Sequence, residues 1–415
     1  MPNASQPRLL SFALDGWTAL GGKVSVSLLD RAAVLVGRNG AGKSAILEGF
    51  EAISSLVLGH SRPLSQFDID NIPKILEVEI LTPTERRLQY KYELAIVSSS
   101  SDNDLDSTLD NSAIESSDES QFTWNENCQY IDGVQETLWT IEMGIITFSH
   151  SEVTTLEINS SPDLAMLRYF RGNPRVKLLD ELMPERQWVY DILRGVRLLG
   201  KTPIRQTYNR RPCLLQVSGQ RISITSNVLP GKLDRLARKV FRMKIEELKE
   251  FESICQRIGL GSKITIEKFI SSEVFKKRKE DENERYIISV LLDEVNIGLL
   301  SDGTLRVLSL LVELINPPPS VTTIIEEPET QIHPGMLAKL LAEIETYTFG
   351  QNLILSTHSP QVVGWTSPDK INLVYRQHGQ TIIRKLDEEE IQKVVEYLSE
   401  EGDLGEWLYS GMVDE

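Results

Sequence analysis

A chain of 415 residues that is 40% hydrophobic holds enough apolar material for one large domain with an inserted subdomain. Its net charge of −16 argues against indiscriminate nucleic-acid binding, which draws most of its affinity from neutralised phosphates. No apolar run is long enough to span a bilayer, and the start Met1-Pro2-Asn3-Ala4-Ser5 shows no basic-then-apolar leader, so neither a membrane nor secretion is expected.

The first predicted element with chemical meaning is the apolar strand Ala32–Val36. It runs into Gly37, Arg38, Asn39, Gly40, Ala41, Gly42, Lys43 and Ser44, and then into a stretch from Ala45 to Ile53 with apolar residues at helical spacing. This octapeptide fills every fixed position of G-x-x-x-x-G-K-[ST], and strand, loop, helix is the context that motif needs. Glycines let backbone N–H groups turn inward around phosphate oxygens, and the helix aims its positive end at the same anion. In such a loop Lys43 reaches the β- and γ-phosphates, while the Ser44 hydroxyl faces Mg²⁺. A glycine turn that merely joins strand to helix explains neither residue, so a nucleoside triphosphate is the expected ligand.

Further along, Leu88–Val97 and Leu138–Phe148 read as strands of a β-layer, joined by the acidic, serine-rich stretch 98–120, expected to be a disordered loop. Asp102, Asp104, Asp106 and Asp110 fail as a calcium loop, because Ser107 and Ala113 stand where glycine and glutamate are required. From about Asp163 to Gly259 the periodicity is helical, which predicts a helical insertion over 161–260 between two halves of a head, 1–160 and 261–415. Three basic clusters punctuate the middle: Arg205, Arg210 and Arg211; Lys232 to Lys244; and Lys276 to Lys279. Each reads as a solvated helix face, and together they leave a local DNA or RNA contact open.

Leu300-Ser301-Asp302-Gly303-Thr304 precedes the helical run Leu305–Val312. A hydroxyl residue, a glycine and a helix start can form an anion nest, though a capping turn looks the same. The strand Thr322–Ile325 then delivers two adjacent carboxylates, and Pro328 stops it directly behind them. Adjacent side chains leave a strand in opposite directions, so the pair can divide its labour only where the strand ends. Glu326 is assigned to the metal and Glu327 to the attacking water. After a helix near Gly335–Thr348, the strand Leu353–Thr357 ends in His358 and is broken by Pro360, which places it beside the carboxylate strand in a βαβ unit. Two last strands, Asn372–Tyr375 and Thr381–Arg384, and a helix around Glu388–Leu398 lead to an acidic tail, 402–411, with Trp407 and Tyr409. That tail reads either as a docking site or as a terminal helix packed on the head. Cys128, Cys213 and Cys255 are too scattered for a disulfide framework or zinc site, and a reducing cytosol is the expected setting.

The phosphate loop, the Ser-Asp-Gly helix start, Glu326-Glu327-Pro328-Glu329 with His333-Pro334, and Ser356-Thr357-His358-Ser359-Pro360 occur in the order seen in ABC-type ATPase heads. The chain resembles the SMC, RecF and OLD-like families, and most closely the stand-alone AAA-21 group, over roughly 8–97 and 260–385. The resemblance implies an ABC-type P-loop head: an N-terminal antiparallel β-layer, a mostly parallel α/β core and a helical insertion. It implies an ATPase that works as a dimer, in which Gly40, Gly42, Lys43 and Ser44 hold ATP and Mg²⁺. Ser301, Asp302 and Gly303 of the second subunit close on the γ-phosphate. Glu327 polarises water, His358 senses the γ-phosphate, and His333 belongs to a loop crossing the dimer interface. Glu326 departs from the usual aspartate, and Ser-Asp-Gly-Thr from the Ser-Gly-Gly-Gln of transporters. A glutamine loop is not clear; Gln66 is one candidate and a surface glutamine the other reading. The expected role is a switch subunit for a separate effector, a nuclease or toxin in anti-phage defence. The alternatives are a RecF-like repair ATPase and a nucleotide-gated scaffold with negligible turnover.

Overall fold

The computed structural model describes residues 6–58, 71–97, 121–133, 135–142, 145–148, 155–157, 183–199, 213–218, 221–224, 232–269, 285–315, 317, 321–387 and 389–390. From the N-terminus, β1 (Arg8–Asp15), β2 (Val24–Ser27) and β3 (Ala32–Val36) lead into α1 (Lys43–Leu58). Strands β4 (Ile75–Leu81), β5 (Arg87–Val97), β6 (Gln121–Tyr130), β7 (Glu136–Glu142), β8 (Ile145–Phe148) and β9 (Thr155–Glu157) follow. The middle contributes α2 (Pro184–Arg194), β10 (Val196–Leu199), β11 (Leu214–Ser218), β12 (Arg221–Ile224), α3 (Lys232–Arg242) and α4 (Ile245–Ile258). Then come β13 (Ile264–Phe269), β14 (Arg285–Leu292), β15 (Val295–Asn296), α5 (Asp302–Leu314), β16 (Thr322–Glu326) and α6 (Pro334–Thr348). The last described elements are β17 (Asn352–Thr357), α7 (Pro360–Trp365), β18 (Ile371–Gln377) and β19 (Gln380–Lys385).

Among the described residues these strands make three sheets. The core sheet has the order β10-β16-β17-β3-β18-β19 and is parallel except for its final hairpin, β18 with β19. Its strands are apolar runs because both faces are covered, and side-chain alternation sorts them between two cores. Ala33, Leu35, Ile324 and Ile354 face α1, α2 and the β-layer, whereas Val34, Val36, Ile325, Leu353 and Leu355 face α3 to α6. The β-layer is an antiparallel sheet, β2-β1-β4-β5-β6-β7-β8-β9. It clamps α1 through a stack of Phe12 on Phe50, with ring centroids 3.9 Å apart and planes 6° from parallel. The expected antiparallel β-layer and mostly parallel α/β core are both observed.

Two expectations are revised. The acidic stretch 98–120 lies outside the described residues, but the strands flanking it are β5 and β6, which pair antiparallel from Leu88↔Tyr130 to Val97↔Gln121. The expected partner, Leu138–Phe148, belongs instead to the next hairpin, β7 with β8. β6 is hard to see in sequence because polar residues alternate with its buried Trp124, Cys128 and Tyr130, and one inward position is Glu126. The interval 161–260 is also not helical throughout. Within it β10 joins the core sheet beside β16, and β11 pairs with β14 of the following segment, because these short strands find partners far away in sequence. The predicted terminal helix near 388–398 and the tail 402–411 lie outside the described residues apart from 389–390.

Candidate functional site

The carboxyl ends of the parallel strands are where open α/β sheets bind ligands, and the candidate residues gather there. Leu35 and Val36 of β3 pair with Ser356 and Thr357 of β17, and Ser356 pairs in turn with Glu326 of β16. The loop that leaves Val36, the turn that leaves Glu326 and the turn that leaves Thr357 therefore emerge side by side.

The loop Gly37–Ser44 needs its glycines for two different reasons. Gly40 and Gly42 have φ values of 81° and 107°, in the left-handed region that side chains disfavour. Gly37 and Gly42 are also crowded: a Cβ on Gly37 would lie 2.1 Å from the Val374 carbonyl, and one on Gly42 would lie 2.4 Å from Thr381 Oγ1. The last hairpin thus packs directly under the loop, and Thr381 Oγ1 donates to the Ala41 carbonyl at 3.2 Å. Over Gly40 a Cβ would meet nothing within 4 Å, so the loop is open on that side. Lys43, only 6% exposed, bridges the loop by donating from Nζ to the carbonyls of Gly37 (2.6 Å) and Arg38 (3.1 Å). Burial lowers the pKa of its ammonium, and Glu327, Glu329 and Glu326 act in the opposite direction. Arg38, Asn39 and Ser44 are exposed. A cradle with an open side, a central lysine and carboxylates within its electrostatic reach suits a triphosphate with its metal.

Glu327 begins the turn after β16 with φ 44°. Its N–H donates to the Ser356 carbonyl at 2.9 Å, and its Oε2 accepts from Thr330 Oγ1 at 3.2 Å. His358 Nδ1 lies 3.4 Å from Glu327 Oε1 and 3.5 Å from Glu329 Oε1. Glu329 Oε1 also accepts from Thr357 Oγ1 (2.7 Å) and from the His358 N–H (3.1 Å). Ser301 is the N-cap of α5, its hydroxyl accepting from the Thr304 N–H at 3.2 Å, so the capping reading of this turn holds locally. Gly303 lies against the turn after β16, where a Cβ would come 2.3 Å from the Gln331 carbonyl. His333 caps α6 through Nδ1, which accepts from Gly335 N–H at 3.2 Å.

Two participants escape a motif reading. Arg306, one turn into α5, donates from Nη2 to the carbonyls of Glu326 (2.9 Å) and Glu327 (2.8 Å). Burial lowers its pKa while Glu327, Glu329 and Glu326 oppose that shift. Glu329 is visible in sequence as the third carboxylate of the string, but nothing there shows that it turns toward the histidine strand. Gln66, the cluster Arg205–Arg211 and the cluster Lys276–Lys279 lie outside the described residues. In the remaining basic cluster, Lys239 is paired with Glu313, and Leu236, Ala237 and Val240 of α3 are in the core.

Residues 238–364 match the family model described as "AAA domain, putative AbiEii toxin, Type IV TA system". This segment is therefore similar to the AAA-21 group of ATPases. The match spans Ser301–Gly303, the Glu326–Glu329 string and His358, and the phosphate loop is supplied by the chain before it. Among solved structures, an SMC head bound to the C-winged helix domain of ScpA is similar at a TM-score of 0.44 and 15% identity, over 93% of this chain and 99% of that one. An SMC head with an extended coiled coil, bound to the C-terminal domain of ScpA derived from Pyrococcus furiosus, gives 0.39 and 14%, over 95% and 100%. The SMC head from Thermotoga maritima gives 0.36 and 14%, over 92% and 99%. No curated protein matches. Among the described residues, no helix is long and apolar enough to cross a membrane.

Proposed function

We propose that the AAA-21 head binds and hydrolyses ATP as a dimer and uses the cycle to switch a separate effector protein. One observation carries the reading: the buried Lys43 ammonium, set in an open glycine loop, lies within electrostatic reach of Glu327, Glu329 and Glu326 at the end of β16. This supports a reading in which a cation for phosphate oxygens works beside acids suited to a metal and to a water.

In this reading the backbone of Gly37–Ser44 and Lys43 hold the triphosphate. Ser44 and Glu326 would hold Mg²⁺, which neutralises charge on the β- and γ-phosphates. Glu327 orients the attacking water, and His358 contacts the γ-phosphate. Phosphoryl transfer needs little beyond such positioning and charge stabilisation. Ser301, Asp302 and Gly303 of a second copy complete the pocket; Ser301 and Asp302 are exposed at the start of α5, where a partner can reach them. Support for an effector or toxin connection comes from the family description, and an anti-phage setting in the cytoplasm is the fold-level extension of it.

The test is ATP hydrolysis by the purified protein with and without double-stranded DNA, beside capture of partners from its native host. Slow, DNA-indifferent turnover with a stoichiometric co-purifying protein is the expected outcome. Stimulation by DNA with no such protein would replace the switch with a RecF-like repair function. ATP binding with no turnover would leave a nucleotide-gated scaffold.

A further inference from the structure

His358 stands between two carboxylates whose surroundings differ. Its Nδ1 is 3.4 Å from Glu327 Oε1 and 3.5 Å from Glu329 Oε1. An ionised carboxylate accepts hydrogen bonds and cannot donate them. The ring nitrogen that faces both of them therefore carries its proton, and Nε2 is the atom left for a ligand. The Glu327 side chain is 30% exposed and sits at the mouth of the site, free to meet a water. The Glu329 side chain is only 10% exposed. Its Oε1 is anchored by the Thr357 hydroxyl at 2.7 Å and the His358 N–H at 3.1 Å. Its Oε2 is buried with no hydrogen-bond partner among the described residues. A buried acceptor left open is costly, and here it lies in the group beside a histidine N–H.

We infer that Glu329 is a positioning residue for His358. It holds the main chain at the end of β17, fixes the Nδ1–H tautomer, and offers that proton a permanent acceptor. Glu327 can then turn to a water without leaving the imidazole unsupported. The third carboxylate of the string thus divides the work: Glu327 for the water, Glu329 for the histidine. This inference rests on the ATPase reading of the site, and its geometry can be tested apart from turnover.

The experiment compares the full-length wild type with Glu329→Leu and Glu329→Asp, using ¹⁵N-histidine NMR, steady-state ATP hydrolysis and a melting curve. The leucine keeps the bulk of the side chain but removes the oxygen that faces His358 Nδ1 and accepts from Thr357 and the His358 N–H. Expected are loss of the Nδ1–H tautomer signal of His358 in Glu329→Leu and a fall in kcat of about 10- to 100-fold, the range typical when a carboxylate that orients a functional histidine is removed. The KM for ATP should stay within about twofold, since binding in the ground state is untouched. Glu329→Asp should recover part of both signals. An unchanged tautomer with unchanged kcat would overturn the inference, and so would parallel losses of kcat, ATP affinity and melting temperature. If the wild type hydrolyses no ATP, the ATPase reading fails, and the tautomer shift alone still decides the role of Glu329.

Discussion

Replacing Arg306 with methionine keeps the apolar stem and removes the two hydrogen bonds that hold the turn after β16. Arg306 Nη2 reaches the Glu326 and Glu327 carbonyls at 2.9 and 2.8 Å. A hydrogen bond from a charged donor contributes about 1.5–3 kcal/mol net, so sharing one nitrogen between two carbonyls is worth roughly 2–4 kcal/mol. Opposing it is the conformation of Glu327, whose φ of 44° costs a non-glycine residue about 1–2 kcal/mol. The clamp exceeds the strain, which is why Glu327 stays in the left-handed region. Without the clamp the balance reverses, and the carboxylate leaves its place beside His358. Arg306→Met should therefore lower the melting temperature by about 2–5 °C, taking about 1 °C per kcal/mol for a chain of 415 residues. It should also lower kcat about 100-fold, the cost of misplacing a reacting group by about 1 Å. ATP affinity should hold, because the phosphate loop belongs to β3 and α1. Calorimetry, a nucleotide-binding titration and a turnover assay read the three quantities separately. Wild-type kcat in a variant that melts several degrees lower would refute the link between this arginine and Glu327.

Three further substitutions, one of them a control outside the loop, separate the loop's geometry from its charge. Gly42→Ala places a methyl group 2.4 Å from Thr381 Oγ1 at a φ of 107°, and ATP binding measured by titration should be lost. Gly350→Ala, also at positive φ (76°) but in open space, should cost only about 1 kcal/mol in a denaturant melt and leave binding intact. Lys43→Met should abolish ATP binding yet raise the stability of the nucleotide-free protein, because burial lowers the lysine pKa on folding. The sign follows from linkage: the unfolded chain binds the proton more tightly, so wild-type stability rises as pH climbs from the lowered pKa toward 10.5. The advantage of Lys43→Met should shrink across that window, and melting curves at a series of alkaline pH values would show it.

The elements that carry chemistry were legible because each is punctuated. Ala32–Val36 is a strand bounded by a glycine, Thr322–Glu326 is stopped by Pro328, and the strand to Thr357 is followed by Pro360, so boundaries could be placed almost to the residue. Elements whose burial depends on distant partners were not. β10 is four half-buried residues that become core only by lying along β16, more than a hundred positions away. β6 hides Glu126, 2% exposed, on its inward face, where the Tyr90 hydroxyl donates to it at 3.1 Å. A charged residue at an inward position breaks the alternation by which a strand is read. At the site, local strings gave Lys43, Glu326, Glu327 and His358 but not their relations. Arg306 acts on carbonyls some twenty positions later in the chain, and only the crossing of α5 behind the end of β16 brings them together.

The central claim is that this head turns over ATP through Lys43 and Glu327. Its most direct test is ATP binding and hydrolysis by the purified wild type beside Glu327→Gln. The account predicts measurable turnover in the wild type, and in the variant retained ATP, no turnover and a trapped dimer. Absence of ATP binding by the wild type, or unchanged hydrolysis in Glu327→Gln, would contradict it.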